Sequence, residues 1–277
     1  MGFYGNHFSF DGIPCEEFGL AIYDIEGNSQ GSSVDIASSG TIVEDWIPMK
    51  SRSFFYGVQQ NKALTFTMVF GVNPELTRQG VFPTMEDYLD RWEIARISNW
   101  LTGHKDKRSW LEIEQADMET VRFYCTITEL KLITHAWYPW AFSCTVTCDS
   151  PYGYMFPKKY SYDCSGGLTA ELRSKSMINS DYYPVFVIQP RSAGKISILN
   201  QSDNSREFLL NSQLPFVEDE AITVDNDRGI IKSSDDRNLY DYFNFSFFRL
   251  KPGQNRLIMN GDFKLDIICE FPVNVGG

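Results

Sequence analysis

Apolar and hydroxyl side chains alternate with a period of two along much of the chain, as in Leu64-Thr65-Phe66-Thr67-Met68-Val69-Phe70 and Phe142-Ser143-Cys144-Thr145-Val146-Thr147-Cys148. That period sends successive side chains to opposite faces, so each segment predicts a strand with one packed and one wet face. In the last third, short candidate strands recur at close intervals: Val185 to Gln189, Lys195 to Leu199, Glu207 to Leu210, Ala221 to Val224, Ile230 to Lys232, Tyr242 to Leu250, Arg256 to Met259 and Phe263 to Phe271. This regularity predicts a sandwich. Asn226-Asp227-Arg228-Gly229 reads as the loop of a hairpin between two of these strands.

The exception is a segment from Thr84 to Leu101 with helical spacing. Thr84 and Asp87 form a capping box directly after Pro83, and Gly103 closes the helix. Met85, Tyr88, Leu89, Trp92 and Ala95 make one apolar stripe; Ile94, Ile97 and Leu101 lie on a second. A helix apolar on two sides must be covered on two sides, either inside one subunit or between its own sheet and a neighbouring subunit. The fold class expected is mainly β with one α-helix.

Beyond Tyr154 the composition shifts to Pro157-Lys158-Lys159 and then Ser165-Gly166-Gly167, which reads as linker punctuation. A chain of 277 residues fits about two domains, and these signals divide it into 1–156 and 157–277. Each part is large enough to bury a core without staples. The six cysteines show no CxxC spacing. Cys144 and Cys148 are four apart on a predicted strand, about 13 Å, too far for a disulfide, and all six read as thiols.

Charge and candidate chemistry then narrow the function. The net charge of −11 opposes binding through phosphate neutralisation. No apolar run reaches the roughly 18 residues of a bilayer-spanning helix, and Met1 to His7 lacks the basic and apolar regions of a signal peptide. His7, His104 and His135 are far apart and show no metal-ligand spacing, so no metal or other cofactor is expected. There is no GxSxG, GxxxxGK[ST] or GxGxxG. Asp225-x-Asp227-x-Gly229 lacks the remaining ligands of a calcium loop. Glu218-Asp219-Glu220 and Asp235-Asp236 are the candidate carboxylate clusters for glycoside hydrolysis, but both read as solvated loops between strands. No enzyme is expected. Dense aromatics, Trp137-Tyr138-Pro139-Trp140 and Phe54-Phe55-Tyr56, suit core packing, anchoring of another chain or stacking on sugars, the last disfavoured for Trp137 and Trp140, three apart on an extended run with Pro139 between.

Four short landmarks occur in fixed order: Phe8-x-Phe10-x-Gly12-Ile13 with Phe18-Gly19-Leu20, Ile97-x-x-Trp100-Leu101-Thr102-Gly103, Ser150-Pro151-Tyr152-Gly153-Tyr154, and Leu250-x-Pro252-Gly253-x-Asn255. Arg52-x-Phe54-Phe55-Tyr56 and Ile222-Thr223-Val224-Asp225 fit two further positions. In this order the chain resembles the distal tail proteins (Dit) of siphophages, the long, flexible-tailed bacteriophages. The Ser- and Gly-rich stretch from Asn28 to Gly40 has no counterpart signature.

The resemblance implies an N-terminal β-sandwich with a helix and a long hairpin, then a C-terminal galectin-like β-sandwich. It implies a hexameric ring in the virion that joins the tail tube protein to a tail-tip protein and lets DNA pass, with outward C-terminal domains that hold receptor-binding proteins. Synthesis in the host bacterial cytoplasm follows. The subunit contact is expected at Trp46, Arg52, Phe55, Tyr56, Trp92 and Trp100. Rival readings are a carbohydrate-binding module of the tail tip that attaches to the host cell wall, and a tail-tip enzyme that degrades it.

Overall fold

The computed structural model describes residues 7–25, 40–60, 63–73, 88–103, 106–114, 119–135, 137–178 and 180–274. The described residues are mainly antiparallel β with one α-helix. The chain separates into two compact units, one reaching to Met155 and regaining Val273, the other running from Phe156 to Pro272.

In the first unit the strands order as Ile13–Pro14, His7–Phe10, Ser109–Glu114, Val121–His135, Tyr138–Cys148, Thr65–Val72 and Leu20–Ile25, all neighbours antiparallel. The alternation read from Leu64 to Phe70 has its expected consequence: Phe66, Met68 and Phe70 are buried, while Thr67 and Val69 are only partly so. Cys144, Val146 and Cys148 line the same core from the neighbouring strand. All six cysteines are buried free thiols, and burial pushes the Cys144 thiol up to about 12.

The helix covers this core but begins later than its apolar pattern suggests. Thr84 and Asp87 lie outside the described residues; the described helix is Arg91–Thr102, with Asp90 as its cap. The Asp90 carboxylate accepts from the amides of Trp92 and Glu93 at 2.7 and 2.8 Å, and the Glu93 side chain accepts from the Asp90 amide. Tyr88 and Leu89 therefore precede the helix, since a cap residue has extended backbone. Ile97, Trp100 and Leu101 are buried, whereas Trp92 and Ala95 of the other stripe are exposed. Trp100 stacks on Phe18 at 4.6 Å and Phe8 at 5.7 Å, and its indole N–H donates to the Phe10 carbonyl at 3.0 Å. The first two sequence landmarks are thus one packing unit.

The third is a tight approach: a side chain at Gly153 would bring its Cβ to 2.4 Å from Val121. Ser150 shapes the preceding turn by accepting from the Tyr152 amide at 3.0 Å.

The spine of the second unit is a ribbon of two 17-residue strands, Lys158–Ser174 and Gly253–Cys269, paired along their whole length. Gly166 faces Gly261 at its middle, both with positive φ (95° and 131°). Past this point the outer edge of Gly253–Cys269 changes partner. Its first half pairs with Ile196–Asn200, which continues to Arg206–Leu210; its second half pairs with Val185–Pro190, which continues to Ile222–Asp225 and Ile230–Ser233. Phe186 and Phe208, from the two halves, meet at a ring separation of 6.0 Å, with Phe248 against Phe186 at 5.0 Å. The strand pairs are thereby packed into the expected sandwich.

Three expectations need correction here. Ser165 to Gly167 is no linker but the middle of a strand, because glycine lets the ribbon bend without breaking. Arg256–Met259 and Phe263–Phe271 are not two strands: Asn260-Gly261-Asp262 reads as a turn, yet Gly253–Cys269 is continuous through it. Tyr242 to Leu250 is not a strand either, but a 3₁₀ turn, Tyr240–Tyr242, followed by irregular chain with single bridges at Phe243 and Leu250.

Candidate functional site

Gly40–Asp45 and Phe54–Gln60 form a two-stranded hairpin that joins neither larger sheet. Its end is held in shape by one carboxylate. Glu44 accepts from the Trp46 indole at 3.0 Å and from the Ser53 hydroxyl at 2.7 Å, and these bonds, Ser53 first, hold its carboxyl below the usual range. Lys50 sits 5.1 Å over the Phe54 ring, and its amide closes the turn onto the Ile47 carbonyl at 3.1 Å. Trp46 (65% exposed), Phe55 (63%) and Tyr56 (66%) all face solvent, as do Ile47, Met49 and Phe54. Consecutive residues Phe54, Phe55 and Tyr56 point to both sides of the ribbon, so neither face is the polar one. A lone hairpin is marginal in water, and this one turns its apolar side chains to solvent rather than to either larger sheet.

The six expected contact residues divide by environment. Trp46, Arg52, Phe55 and Tyr56 gather as exposed residues on the hairpin, and Trp92 is 79% exposed on the helix. Trp100 is different: at 6% exposure its ring is consumed by its own core. Beside it lies a shallow cavity of about 380 Å³ lined by Ile13, Phe18, Arg96, Asn99, Trp100 and Gly103, with Arg96 5.5 Å over the Phe18 ring.

Within the acidic clusters Glu220 stands apart. Glu220 is buried, not a solvated loop residue as its charged neighbours suggest. The Arg237 guanidinium forms a bidentate pair with it, and the Ser233 hydroxyl donates to it at 2.5 Å. Burial works against the charge, but these bonds outweigh it and keep the carboxyl below its ordinary range. The fourth sequence landmark serves a similar structural purpose. The Asn255 side chain accepts from the Lys251 amide and donates to the carbonyls of Lys251 and Gly253. Next to it Arg249 and Lys251 share Asp181 and the buried Asp203 at 2.7 to 3.3 Å.

One grouping has no signature in sequence spacing. The turn after His7–Phe10 brings His7, Cys15 and Glu16 together, their ligand atoms all within 4.8 Å of one another. Cys15 and Glu16 belong to the 3₁₀ turn Cys15–Phe18, eight residues away along the chain, so HxH or CxxC patterns cannot reveal them. A short hairpin between two such residues is the only hint available in the sequence.

Comparison with known proteins agrees with this architecture. Residues 3–150 match the family described as the phage tail protein N-terminal domain, and residues 152–269 match the phage tail C-terminal domain. The chain belongs to this phage tail protein family. No curated protein matches it. Among solved structures it is similar to Dit of phage SPP1, described as a paradigm of the hub adsorption apparatus in phages that infect Gram-positive bacteria. That likeness has a TM-score of 0.63 at 11% identity, over 96% of this chain and 98% of that one. It is also similar to a chain of the phage P2 baseplate in its activated conformation with calcium, at a TM-score of 0.52 and 9% identity over 96% and 98%. The corresponding strontium form gives 0.51 and 10% over 95% and 98%. At these identities the likeness concerns the fold.

Proposed function

We propose that this chain is the distal tail protein of a siphophage: copies close into a hexameric ring that joins the tail tube protein to the tail-tip protein and lets DNA pass. The observation that carries this reading is the hairpin with apolar side chains on both faces, which its own subunit leaves uncovered among the described residues. Identical head-to-tail contacts close into a ring when the rotation divides evenly. Membership of a phage tail protein family and the hub-protein fold support the same reading. The domain for ring building is 1–156; 157–277 is a galectin-like unit that faces outward and holds receptor-binding proteins. The role is structural rather than catalytic, in line with a buried acid spent on its arginine. An acidic chain of net charge −11 leaves DNA free to slide.

Negative-stain images of the purified protein test the ring: six-fold annuli are expected, and a monomer at every concentration overturns it. A gel-shift titration with linear duplex at low salt tests the channel. No saturable binding is expected; micromolar binding that weakens steeply with salt overturns it.

A second reading, attachment to a cell-wall sugar, rests on Phe245. This residue holds a left-handed backbone (φ 56°), uncommon for a bulky side chain, with its ring 66% exposed and stacked on Tyr240 at 6.0 Å. Retention on a column of host cell wall that Phe245→Ala abolishes would establish it; flow-through of the wild type would remove it.

A further inference from the structure

We propose that His7, Cys15 and Glu16 bind one zinc ion, or a divalent cation of similar softness, with water completing a tetrahedron. The three side chains offer one nitrogen, one sulfur and one carboxylate oxygen, a donor set that suits zinc.

One ligand pair already has the spacing the metal needs. The Cys15 sulfur lies 3.6 Å from Glu16 Oε2. Zinc bonds of about 2.3 Å to sulfur and about 2.0 Å to oxygen set those two atoms about 3.5 Å apart on a tetrahedron. The other carboxylate oxygen, Oε1, faces His7 Nδ1 at very short range. Nδ1 is closed off from solvent, and its partner is this carboxylate oxygen, in an ion pair that lacks hydrogen-bond geometry. A lone pair of nitrogen facing a carboxylate oxygen is repulsive unless a proton or a cation lies between them, so a positive charge at this point satisfies both. Nitrogen and oxygen ligands on a zinc tetrahedron lie about 3.3 Å apart, so this pair opens by about 1 Å as the ion enters.

One contact already supports the sulfur as a ligand. The Phe8 amide donates to the Cys15 sulfur at 3.4 Å, the kind of outer contact that fixes a metal ligand in place. Without a metal, burial keeps this thiol protonated, with its pKa raised to about 12. On binding, the sulfur–proton bond breaks, the proton leaves to water and the sulfur–zinc bond takes its place.

Such an ion would tie the strand His7–Phe10 to the 3₁₀ turn Cys15–Phe18. Phe8 on the strand and Phe18 at the end of the turn both stack on Trp100. The metal therefore fixes the two ends of the packing unit that carries the first two sequence landmarks. The inference does not depend on ring formation.

The test uses the full chain, stripped with a chelator and dialysed. Cobalt(II), a spectroscopic stand-in for zinc, should give a thiolate-to-metal charge-transfer band that saturates at one equivalent per chain. Zinc should displace it and raise the melting temperature, since a ligand bound only by the folded state stabilises that state. Cys15→Ser should abolish the band, and His7→Ala should weaken cobalt binding at least tenfold. His7 is partly exposed and outside the buried core, so its variant remains informative if Cys15→Ser does not fold. The proposal is overturned if no stoichiometric band appears in the wild type, or if His7→Ala binds cobalt as tightly as the wild type.

Discussion

Two antiparallel ribbons in this protein show what apolar content alone does not decide. In the long ribbon of the second unit, Leu257, Met259, Phe263, Leu265, Ile267 and Cys269 are fully buried, with more exposed residues between them. In the hairpin of the first unit, Phe54, Phe55 and Tyr56 stand in an unbroken row, and all three are exposed. A strand builds a core when its apolar residues fall on one face; when they occupy both, one subunit with one sheet cannot cover them. The first ribbon is a spine. The second leaves its apolar residues in solvent, so the same residue types build a core in one ribbon and an exposed surface in the other.

The sharpest way to break the comparison is to truncate one aromatic of the spine's core. Phe186 is fully buried and touches both Phe208 and Phe248, so Phe186→Ala should cost about 3 to 5 kcal/mol. Chemical denaturation, with hydrogen exchange assigning the lost protection to residues within 156–272, measures it. A loss under about 1 kcal/mol would mean that the two half-sheets do not share that core.

The buried ion pair comes next. Arg237→Met leaves the Glu220 carboxylate buried without its partner, which should cost about 3 kcal/mol near neutral pH. The folded-state pKa of Glu220 is depressed. Its contribution is therefore present above the unfolded carboxyl value near 4.5 and is lost as pH falls through the lower, folded value. The wild type should lose stability on acidification through that window. Arg237→Met should lose less there, because the variant's carboxyl keeps only the Ser233 bond and loses the arginine bonds that depress it most. Equal acid sensitivity in both proteins would assign the effect to other carboxylates, such as Asp203.

The fold was readable where a side-chain pattern carries it and hidden where backbone freedom does. Alternation at Leu64 to Phe70 and at Phe142 to Cys148 predicts strands because packing follows period two. Gly166, Gly167 and Gly261 read as breaks, but the chain holds Gly166 and Gly261 at positive φ inside a continuous ribbon, a matter of dihedral angle that composition does not express. The helix start is misplaced for a related reason: Thr84-x-x-Asp87 and Asp90-x-x-Glu93 both have the spacing of a cap, and the described helix uses the second. Of the expected contact residues, the hairpin group is brought together by the fold. Trp92 and Trp100, eight apart on one helix, look alike as tryptophans, and only their direction relative to the sheet separates them. The His7, Cys15 and Glu16 grouping depends on a turn, so no linear spacing displays it.

Glycine substitutions sharpen the contrast at lower cost. Gly57 of the hairpin and Gly261 of the spine both have positive φ, near 130°. A Cβ at Gly57 meets nothing within 4 Å, but at Gly261 it would lie 2.5 Å from the Lys195 carbonyl oxygen. Gly57→Ala should therefore cost backbone strain alone, about 1 kcal/mol, and Gly261→Ala at least about 2 kcal/mol. Parallel urea titrations decide this. Equal costs would show that the bend at Gly261 can relax away from the carbonyl.

The smallest expected effect on stability carries the most information about function. Phe55 and Trp92 are exposed in the single chain, so Phe55→Ala and Trp92→Ala should leave the unfolding of the monomer within about 0.5 kcal/mol of the wild type. If the hairpin is an interface, the same Phe55 truncation should weaken assembly by about 2 kcal/mol or more, roughly thirtyfold per contact. A closed ring repeats each contact around its circumference, so a modest loss per contact should displace most of the mass from ring to monomer in light scattering. Trp100→Ala is the control: its ring lies in the core of its own subunit, so it should destabilise the monomer itself. Loss of assembly with Phe55→Ala at unchanged monomer stability separates a surface made for another chain from a core that merely leaks to the surface. If Phe55→Ala destabilises the monomer and leaves assembly intact, the hairpin belongs to its own fold, and the contrast between the two ribbons fails.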